Sequence, residues 1–387
     1  MRIDRALYGM RDSPSLWYND FADTLRQCQL VPCMEEPCIF MSKDRSLYVL
    51  FFVDDVLLLY RKEDQAIADS FIEKIKKSYE LRSMGTGEWF LGIRIVRNRT
   101  EKTIALVHDT YLEKIAKKFK QYEGPMPTTP LPFGDLLPHN SQASKGEIKF
   151  FQEKVGSILY SAIMIRPDVA FACSLLSRFL TNPSLQHHEA ADRVIRYLYN
   201  TRYLAIVYGT TEEIQELIIA TDASFADCEV TRKSSHGYTI SLFGGLVAWR
   251  AARQEAVTVS TTEAELHGVA FVAKEVMAMR RFFSELQLSL TKPWTIFCDN
   301  QQTIRLVVGS NERINTRLRH VDIHNMWLRQ EHKKGSFELS YLPTNDMPAD
   351  GLTKNLPRQK FEHFRSLLNL QNMQLELVSK SSSSAET

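Results

Sequence analysis

The stretch Ile218-Ile219-Ala220-Thr221-Asp222-Ala223-Ser224 is a short apolar run that ends next to a carboxylate. We interpret its first part as a β-strand, so that Asp222 can project from the edge of a sheet. Taken alone, Asp222 also fits a helix cap or a turn. The stretch becomes informative because three other acids occupy similar positions.

These acids are Glu265, Asp299 and Asp350, and each lies where a predicted strand passes into a helix or loop. In isolation Asp299 fits a turn residue and Asp350 a surface residue. Together with Asp222 they form a set of hard oxygen ligands. Such a set can hold two divalent cations about 3.5–4 Å apart, which act on the attacking and leaving oxygens of a phosphodiester. The pattern therefore indicates nucleic-acid hydrolysis.

Glu263 and Glu265 have different predicted roles although they are two residues apart. Ser260-x-x-Glu263 fits a capping box, in which the serine caps the helix and Glu263 reaches back to the chain before it. Glu265 is about 200° further around the helix and can face elsewhere. We assign the metal-binding role to Glu265.

Composition sets broad limits. The chain has 387 residues, which predicts two or three domains, and its net charge of +2 excludes a histone-like polycation. No apolar run approaches the ~18 residues that a membrane span needs, and the first residues lack the apolar stretch of a signal peptide. We expect an intracellular protein without membrane contact, in the cytoplasm or nucleus. The six cysteines include no Cys-x-x-Cys pair and are expected to be reduced thiols.

Basic residues gather in three places, which have two interpretations. They are solvated helix faces or a surface that follows a phosphate backbone. The clusters are Lys74, Lys76 and Lys77; Lys114, Lys117, Lys118 and Lys120; and Arg313, Arg317 and Arg319.

The predicted elements define four regions. Residues 1–122 mix helices with strands, and a segment with five prolines between Gly124 and Pro138 begins a largely helical connector, 123–213. From 214 to 370 strands and helices alternate, with Gly244-Gly245 as a hairpin turn, and 371–387 is a serine-rich tail expected to be disordered.

The predicted helices are Ser15–Cys28, Glu63–Lys77, Asp109–Phe119, Lys149–Met164, Pro167–Phe179, Gln186–Thr201, Thr262–Leu286, Gln301–Val308, Arg317–Lys333 and a short Asp346–Lys354. The predicted strands are Cys38–Met41, Leu47–Tyr60, Glu88–Val96, Thr103–Val107, Leu217–Thr221, Gly237–Phe243, Leu246–Arg250, Trp294–Phe297 and Phe337–Leu342.

Six stretches in this order resemble the ribonuclease H domain of Ty/copia-type retrotransposon polyproteins over about 216–356. They are Ala220 to Ser224, Gly237 to Trp249, Val259 to Glu265, Cys298-Asp299-Asn300, Arg319 to Ile323, and Tyr341 to Lys354. The resemblance implies a mixed five-stranded sheet with flanking helices. It also implies that Asp222, Glu265, Asp299 and Asp350 hold two Mg²⁺ ions, or Mn²⁺ in their place, and that the substrate is the RNA strand of an RNA–DNA hybrid.

The same resemblance extends to finer points of the site. It places Asn300 and Gln301 where relatives contact the hybrid. Cellular ribonucleases H carry a mobile histidine just before the acid that corresponds to Asp350. In this sequence Thr344-Asn345-Asp346 occupies that stretch. His320 and His324 have the i, i+4 spacing of a zinc pair, but no third ligand is evident, and packing or substrate contact is the preferred interpretation.

A second resemblance lies in the N-terminal region. Phe51-Phe52-Val53-Asp54-Asp55-Val56 resembles the Tyr-x-Asp-Asp box of reverse transcriptases, with Phe52 in place of the tyrosine. Ala6 to Tyr18, which includes Tyr8 and Gly9, resembles the Leu-Tyr-Gly element of the same polymerases, and we assign Tyr8 and Gly9 to nucleic-acid contact. The paired acids lie in a very apolar hairpin, where burial without a metal or partner would be costly.

Two departures from the polymerase pattern bear on activity. A third metal-binding Asp is expected on a strand before the Leu-Tyr-Gly element, and the sequence starts at that element. Asp12 replaces the usual glutamine. We therefore expect an incomplete palm and thumb that make no DNA alone, in which Asp54 and Asp55 bind one metal ion weakly or have no remaining role.

The sequence thus predicts a mixed α/β protein: a partial reverse transcriptase, a helical connector and a ribonuclease H that cleaves RNA–DNA hybrids. The alternative is a non-catalytic nucleic-acid-binding or scaffold remnant of a degenerate element. A different nuclease or transposase with the same fold is disfavoured by the polymerase-like first region.

Overall fold

The computed structural model describes residues 9–132, 134, 136–209, 215–228, 230–309 and 322–377. The chain forms two compact units, Met1–Leu91 with Met277–Ser289, and Gly92–Val276 with Leu290–Thr387. The predicted region boundaries at 122, 213 and 370 were placed by motif and composition, and they stay a prediction. Tyr8, His320 and the cluster of Arg313, Arg317 and Arg319 lie outside the described residues.

The first unit packs two helices on an antiparallel sheet of order β1-β2-β3-β4. Alternate residues of β3 (Leu47, Val49 and Phe51) are buried, because side chains alternate between the two faces of a strand. They pack against Phe21 and Leu25 of the first helix. The elements are α1 (Ser13–Gln27), β1 (Val31–Pro32), β2 (Ile39–Met41), β3 (Leu47–Phe52), β4 (Asp55–Tyr60), α2 (Gln65–Ile75) and β5 (Trp89–Phe90).

In the second unit, a sheet of antiparallel neighbours β6-β7-β8-β14 stands beside a helical core. Its strands are β6 (Ile93–Asn98), β7 (Thr103–Val107), β8 (Leu204–Gly209) and β14 (Leu370–Asn372). The helices are α3 (Asp109–Lys118), α4 (Lys145–Met164), α5 (Ala170–Ser177) and α6 (Leu185–Asn200), and Ser144 begins α4 with a capping box. The proline-rich segment between α3 and α4 has no helix or strand in its described residues, as predicted.

The expectation of a disordered tail from 371 is wrong as far as Leu377. β14 pairs with β8, and Leu370 lies opposite Ile206. Met373 and Leu377 are buried against Val96 and Ala105. Their spacing of four residues places both on one side of a helical turn, so they can cover the sheet. Residues 378–387 lie outside the described part.

The second sheet of this unit has five strands in the order β11-β10-β9-β12-β13. β9 pairs antiparallel with β10 and parallel with β12, so the sheet is mixed, as predicted. The strands are β9 (Leu217–Ser224), β10 (Ser235–Leu242), β11 (Gly245–Arg253), β12 (Thr295–Cys298) and β13 (Glu338–Tyr341). The remaining helices are α7 (Thr261–Glu285), α8 (Gln301–Val308), α9 (Asp322–Lys333) and α10 (Arg358–Leu367).

The hairpin between β10 and β11 differs by one residue from the predicted turn. Its two loop residues are Phe243 and Gly244, with φ of 48° and 81°. Positive φ at both positions matches the twist of a tight hairpin, and Gly244 adopts it without strain. Gly245 is the first residue of β11 and not part of the turn.

Gly237 in β10 permits a close approach of the chain that carries Asp350. A 3₁₀ turn, Asp350–Leu352, lies against this strand. A Cβ atom at Gly237 would be 2.6 Å from the Cβ of Leu352 and 3.3 Å from the Cγ2 of Thr353. The missing side chain is therefore what allows the turn to sit here.

Other elements also differ from prediction. The strand predicted at Leu47–Tyr60 is two antiparallel strands, β3 and β4. β8 falls in a segment predicted to be helical, because a six-residue apolar run has no periodicity that distinguishes strand from helix. α10 has no counterpart among the predicted elements. The short helix predicted at Asp346–Lys354 is two 3₁₀ turns, Thr344–Asp346 and Asp350–Leu352. Across the described ranges, the structure contains no helix with the length and apolar character to cross a membrane.

Replacement of Gly237 by alanine tests the close approach. Gly237→Ala should lower the free energy of unfolding by about 1–3 kcal/mol, because the added methyl must displace Leu352. Denaturant-induced unfolding measures this. Gly156→Ala is the matched control: nothing lies within 4 Å of its new Cβ in α4, and it should stabilise by about 0.5–1 kcal/mol. A neutral Gly237→Ala would contradict the packing described.

His108 is buried between Tyr111 and Tyr160, and among the described residues neither ring nitrogen has a hydrogen-bond partner. Burial, with a smaller effect of the Arg166 charge, lowers the pKa of His108 to about 4. The unfolded chain binds this proton near pH 6.5. The folded state is therefore penalised as pH falls from about 6.5 toward 4.

His108→Phe should make this acid-induced loss of stability smaller, by up to about 3 kcal/mol at pH 4. The measurement is the free energy of unfolding between pH 4 and 7. A profile for His108→Phe that parallels the parent would show that His108 does not titrate as its burial requires.

Candidate active site

Asp222 and Asp299 come from neighbouring parallel strands. Thr221 of β9 lies opposite Cys298 of β12. The residues that follow them, Asp222 and Asp299, therefore lie side by side. Asp222 is 1% exposed, and Asp299 is partly buried. The strand predicted to end at Thr221 continues to Ser224, so Asp222 lies within β9, whereas Asp299 follows the last residue of β12.

Glu265 comes from the first turns of α7. Its side chain is 5% exposed, and its Oε1 accepts a hydrogen bond from the N–H of Ala223 at 3.3 Å. This bond ties Glu265 to the residue after Asp222. Helix and strand therefore bring the two carboxylates to one place.

Glu263 has the structural role predicted for it. The N–H of Glu263 donates to Oγ of Ser260 at 3.1 Å. Its carboxylate accepts a hydrogen bond from the N–H of Val259 at 2.6 Å. A capping box predicts the N–H of Ser260 instead, which is the next residue. Glu263 thus closes the helix start, and Glu265 faces the acid cluster.

Asp350 arrives on the 3₁₀ turn that packs on Gly237, followed at once by Thr353 and Lys354. The Thr353 hydroxyl hydrogen-bonds the Asp222 carboxylate. The Lys354 ammonium pairs with Asp350 and lies 3.4 Å from Oδ2 of Asp222. All four predicted acids are therefore brought together in the second unit.

The electrostatic cost of this cluster is visible in its pKa shifts. Burial raises the pKa of Asp222; Lys354 and Thr353 oppose the rise, and the charges of Asp350 and Asp299 add to it. Burial, followed by repulsion from Asp222 and Asp299, raises the pKa of Glu265 well above its usual range. Dehydrated like charges of this kind favour the binding of cations.

The donor set fits divalent cations. In the part of the chain that the structure describes, one group of three potential metal ligands has its ligand atoms within 4.8 Å of one another: Glu265, Cys298 and Asp299. Asp222 and Asp350 flank the Lys354 ammonium, so a positive charge already occupies the space between them. Carboxylate oxygens are the ligands that Mg²⁺ and Mn²⁺ prefer.

Cys298 was not predicted as part of this site. Its thiol is fully buried and lies 3.8 Å from Oε2 of Glu265, to which it donates. Its sulfur accepts the N–H of Asn300 at 3.4 Å. Burial strongly raises the pKa of this thiol, and the charges of the neighbouring acids raise it further. Cys298 therefore sits as a neutral thiol under the acids.

Asn300 and Thr344 have structural partners. Oδ1 of Asn300 accepts the N–H of Thr303 at 3.0 Å and so caps α8. The hydroxyl of Thr344 donates to Oδ2 of Asp299 at 2.7 Å. Gln301 is exposed at the first turn of α8. Nucleic-acid contact by Asn300 and Gln301 remains a prediction.

Asp54 and Asp55 differ from expectation in their surroundings. They lie at the turn from β3 to β4, and both are exposed. The predicted cost of burying them does not arise, because the tip of the hairpin extends into solvent. Gly9 is exposed with φ of 88°, and its predicted contact with nucleic acid is not tested.

The histidine pair at 320 and 324 is only partly visible. The ring of His324 packs edge-on against that of His267, with 4.9 Å between centroids. The choice between packing and substrate contact for this pair stays a prediction.

Sequence reasoning missed the polar groups that hold the acids, namely Thr344, Thr353, Lys354 and Cys298. Thr353 and Lys354 lay within the stretch quoted for its resemblance, and their spacing of three and four residues from Asp350 was an available signal. Thr344 and Cys298 also lay within quoted stretches, but no spacing linked them to their partners, Asp299 and Glu265, which are distant in sequence.

Comparisons with known proteins place this chain among retrotransposon sequences. A family model described as reverse transcriptase (RNA-dependent DNA polymerase) matches residues 1–132. A solved structure, LC11-RNase H1 in complex with RNA/DNA hybrid, is similar at 13% identity over 35% of this chain and 92% of that chain. Its TM-score of 0.27 is too low to assign a function.

Two curated relatives are similar over much more of the sequence. A retrovirus-related Pol polyprotein from transposon TNT 1-94 of Nicotiana tabacum is 30% identical over 95% of this chain, and the chain spans 28% of that polyprotein. A transposon Ty5-1 protein of Saccharomyces cerevisiae is 30% identical over 67% of this chain and 84% of its own length. With that identity over most of a relative's length, and with a site and fold of the expected kind, the chain belongs to the Ty/copia-type retrotransposon Pol proteins.

Proposed function

We propose that this chain hydrolyses the RNA strand of RNA–DNA hybrids in a reaction that depends on divalent metal ions. The observation that carries the proposal is the convergence of Asp222, Glu265, Asp299 and Asp350 at one edge of a mixed five-stranded sheet. Structural ion pairing alone does not account for this cluster, because four acids share one lysine among the described residues.

The four carboxylates would hold two Mg²⁺ ions, with Mn²⁺ as a substitute. Bound there, two such ions supply positive charge to the attacking and the leaving oxygen of a phosphodiester. The chain itself fixes the ligands in advance: Ala223 orients Glu265, Thr344 orients Asp299, and Thr353 orients Asp222. Preorganised ligands need little rearrangement during the reaction.

Recognition of the hybrid is proposed for the start of α8. Gln301 is exposed there, and Asn300 caps the helix next to Asp299. Backbone N–H groups and the dipole at a helix start attract phosphate. The 2′-hydroxyl groups of the RNA strand would distinguish it from DNA.

For the N-terminal region, we infer that Asp54 and Asp55 bind at most one divalent ion, and weakly. Within the described ranges, no third carboxylate, thiol or imidazole completes a metal-binding group with them. The expected lack of DNA synthesis by this chain stays a prediction, and primer extension with the same preparation tests it.

Substitution of the acids tests the hydrolase. Asp222→Asn and Glu265→Gln should each reduce Mg²⁺-dependent cleavage of a labelled RNA–DNA hybrid by on the order of a hundred-fold or more, the scale of losing one preorganised electrostatic group. Glu263→Gln is the matched control. Its amide oxygen can still accept the N–H of Val259, so both stability and cleavage should stay near the parent's.

The outcomes separate the candidate functions. Cleavage that survives in both Asp222→Asn and Glu265→Gln would refute the site. No cleavage by the parent, together with salt-sensitive binding of the hybrid, would favour the non-catalytic binding protein.

A further inference from the structure

Lys354 is the cation that the fold inserts between two of the acids. It follows Asp350 by four residues and pairs with that carboxylate, and its ammonium lies 3.4 Å from Oδ2 of Asp222. Its side chain is 39% exposed, while that of Asp222 is 2% exposed. The ammonium therefore enters a dehydrated site from its solvent side.

The charge balance of the cluster gives this placement a consequence. When all four carboxylates are ionised they carry a formal charge of −4. Within the described ranges Lys354 is the one cation that forms ion pairs with the cluster, at Asp222 and Asp350. An ammonium at this distance stabilises Asp222 and Asp350 against their mutual repulsion. It also occupies the space that a divalent ion shared by these two carboxylates would need.

We propose that Lys354 is a tethered counter-ion, which neutralises Asp222 and Asp350 before metal binds and must leave when a divalent ion takes its place. The inference rests on the proposed function, because it takes these acids to be metal ligands. It assigns Lys354 a role that opposes metal affinity and supports the metal-free fold. A purely structural lysine would support the fold and would leave metal affinity unchanged or weaker.

The other contacts of Asp222 make the exchange feasible. The Thr353 hydroxyl holds the Asp222 carboxylate, and that contact does not depend on the ammonium. Lys354 is at the partly exposed rim, so its flexible chain can move toward solvent without disturbing the core. The carboxylates can therefore keep their position when the cation changes.

The test is Mn²⁺ binding to the full-length protein without nucleic acid, measured by isothermal titration calorimetry. Lys354→Met keeps an unbranched side chain, one atom shorter, and removes its charge. It should tighten the binding of Mn²⁺ by about five- to tenfold, because a competing positive charge is gone. Lys354→Arg should bind close to the parent.

Thermal unfolding provides a second readout in the opposite direction. Without metal, Lys354→Met should melt a few degrees below the parent, and saturating Mn²⁺ should raise its melting temperature by more than it raises the parent's. Lys360→Met, at an exposed lysine of α10, removes the same charge away from the acids and should match the parent in both experiments.

The possible failures are distinct. Mn²⁺ binding by the parent, with equal or weaker binding by Lys354→Met, overturns the counter-ion and leaves the hydrolase proposal standing. No Mn²⁺ binding by either protein at millimolar concentration overturns the metal assignment, and the counter-ion with it. Neither result depends on cleavage.

Discussion

Repulsion among dehydrated carboxylates is the constraint that the C-terminal half of this protein has to overcome. Asp222 and Glu265 are 1% and 5% exposed. Burial raises the pKa of both carboxyl groups, and the charges of neighbouring acids raise them further. The compensating donors come from different parts of the chain: the N–H of Ala223, the hydroxyls of Thr344 and Thr353, and the Lys354 ammonium. The site therefore exists only when all these segments have reached their native places.

The connector contributes to that arrangement through a buried network. Arg166 is fully buried and donates to both carboxylate oxygens of Asp168 at 2.9 and 2.7 Å. Tyr197 donates to Asp168 as well, at 2.6 Å. The turn that holds this pair, Pro167–Val169, contacts the Asp350–Leu352 turn. A buried pair with its polar atoms satisfied specifies one local geometry, and here that geometry lies behind an acid of the site.

Much of the fold and the site could be predicted from sequence, and the limits have physical causes. α8 has the predicted bounds, Gln301–Val308, and the separation of Glu263 from Glu265 followed from the capping-box pattern and helical periodicity. β8 was missed because a short apolar run has no decisive period. The exposure of Asp54 and Asp55 could not be predicted, because it depends on how far the hairpin extends from its sheet. The groups around the acids were missed because hydrogen bonds between distant residues leave no local pattern.

The pairing of β14 with β8 has a consequence for how the protein is made. Leu370 and its neighbours add to a sheet that includes the strands at 93–98, 103–107 and 204–209. During synthesis on the ribosome, the edge of β8 that pairs with β14 stays uncovered until β14 emerges. The interval from 209 to 370 means that more than a hundred and fifty residues must be added first. An open edge is a site for pairing with other chains. During synthesis, this uncovered edge can therefore pair with other nascent chains before β14 covers it.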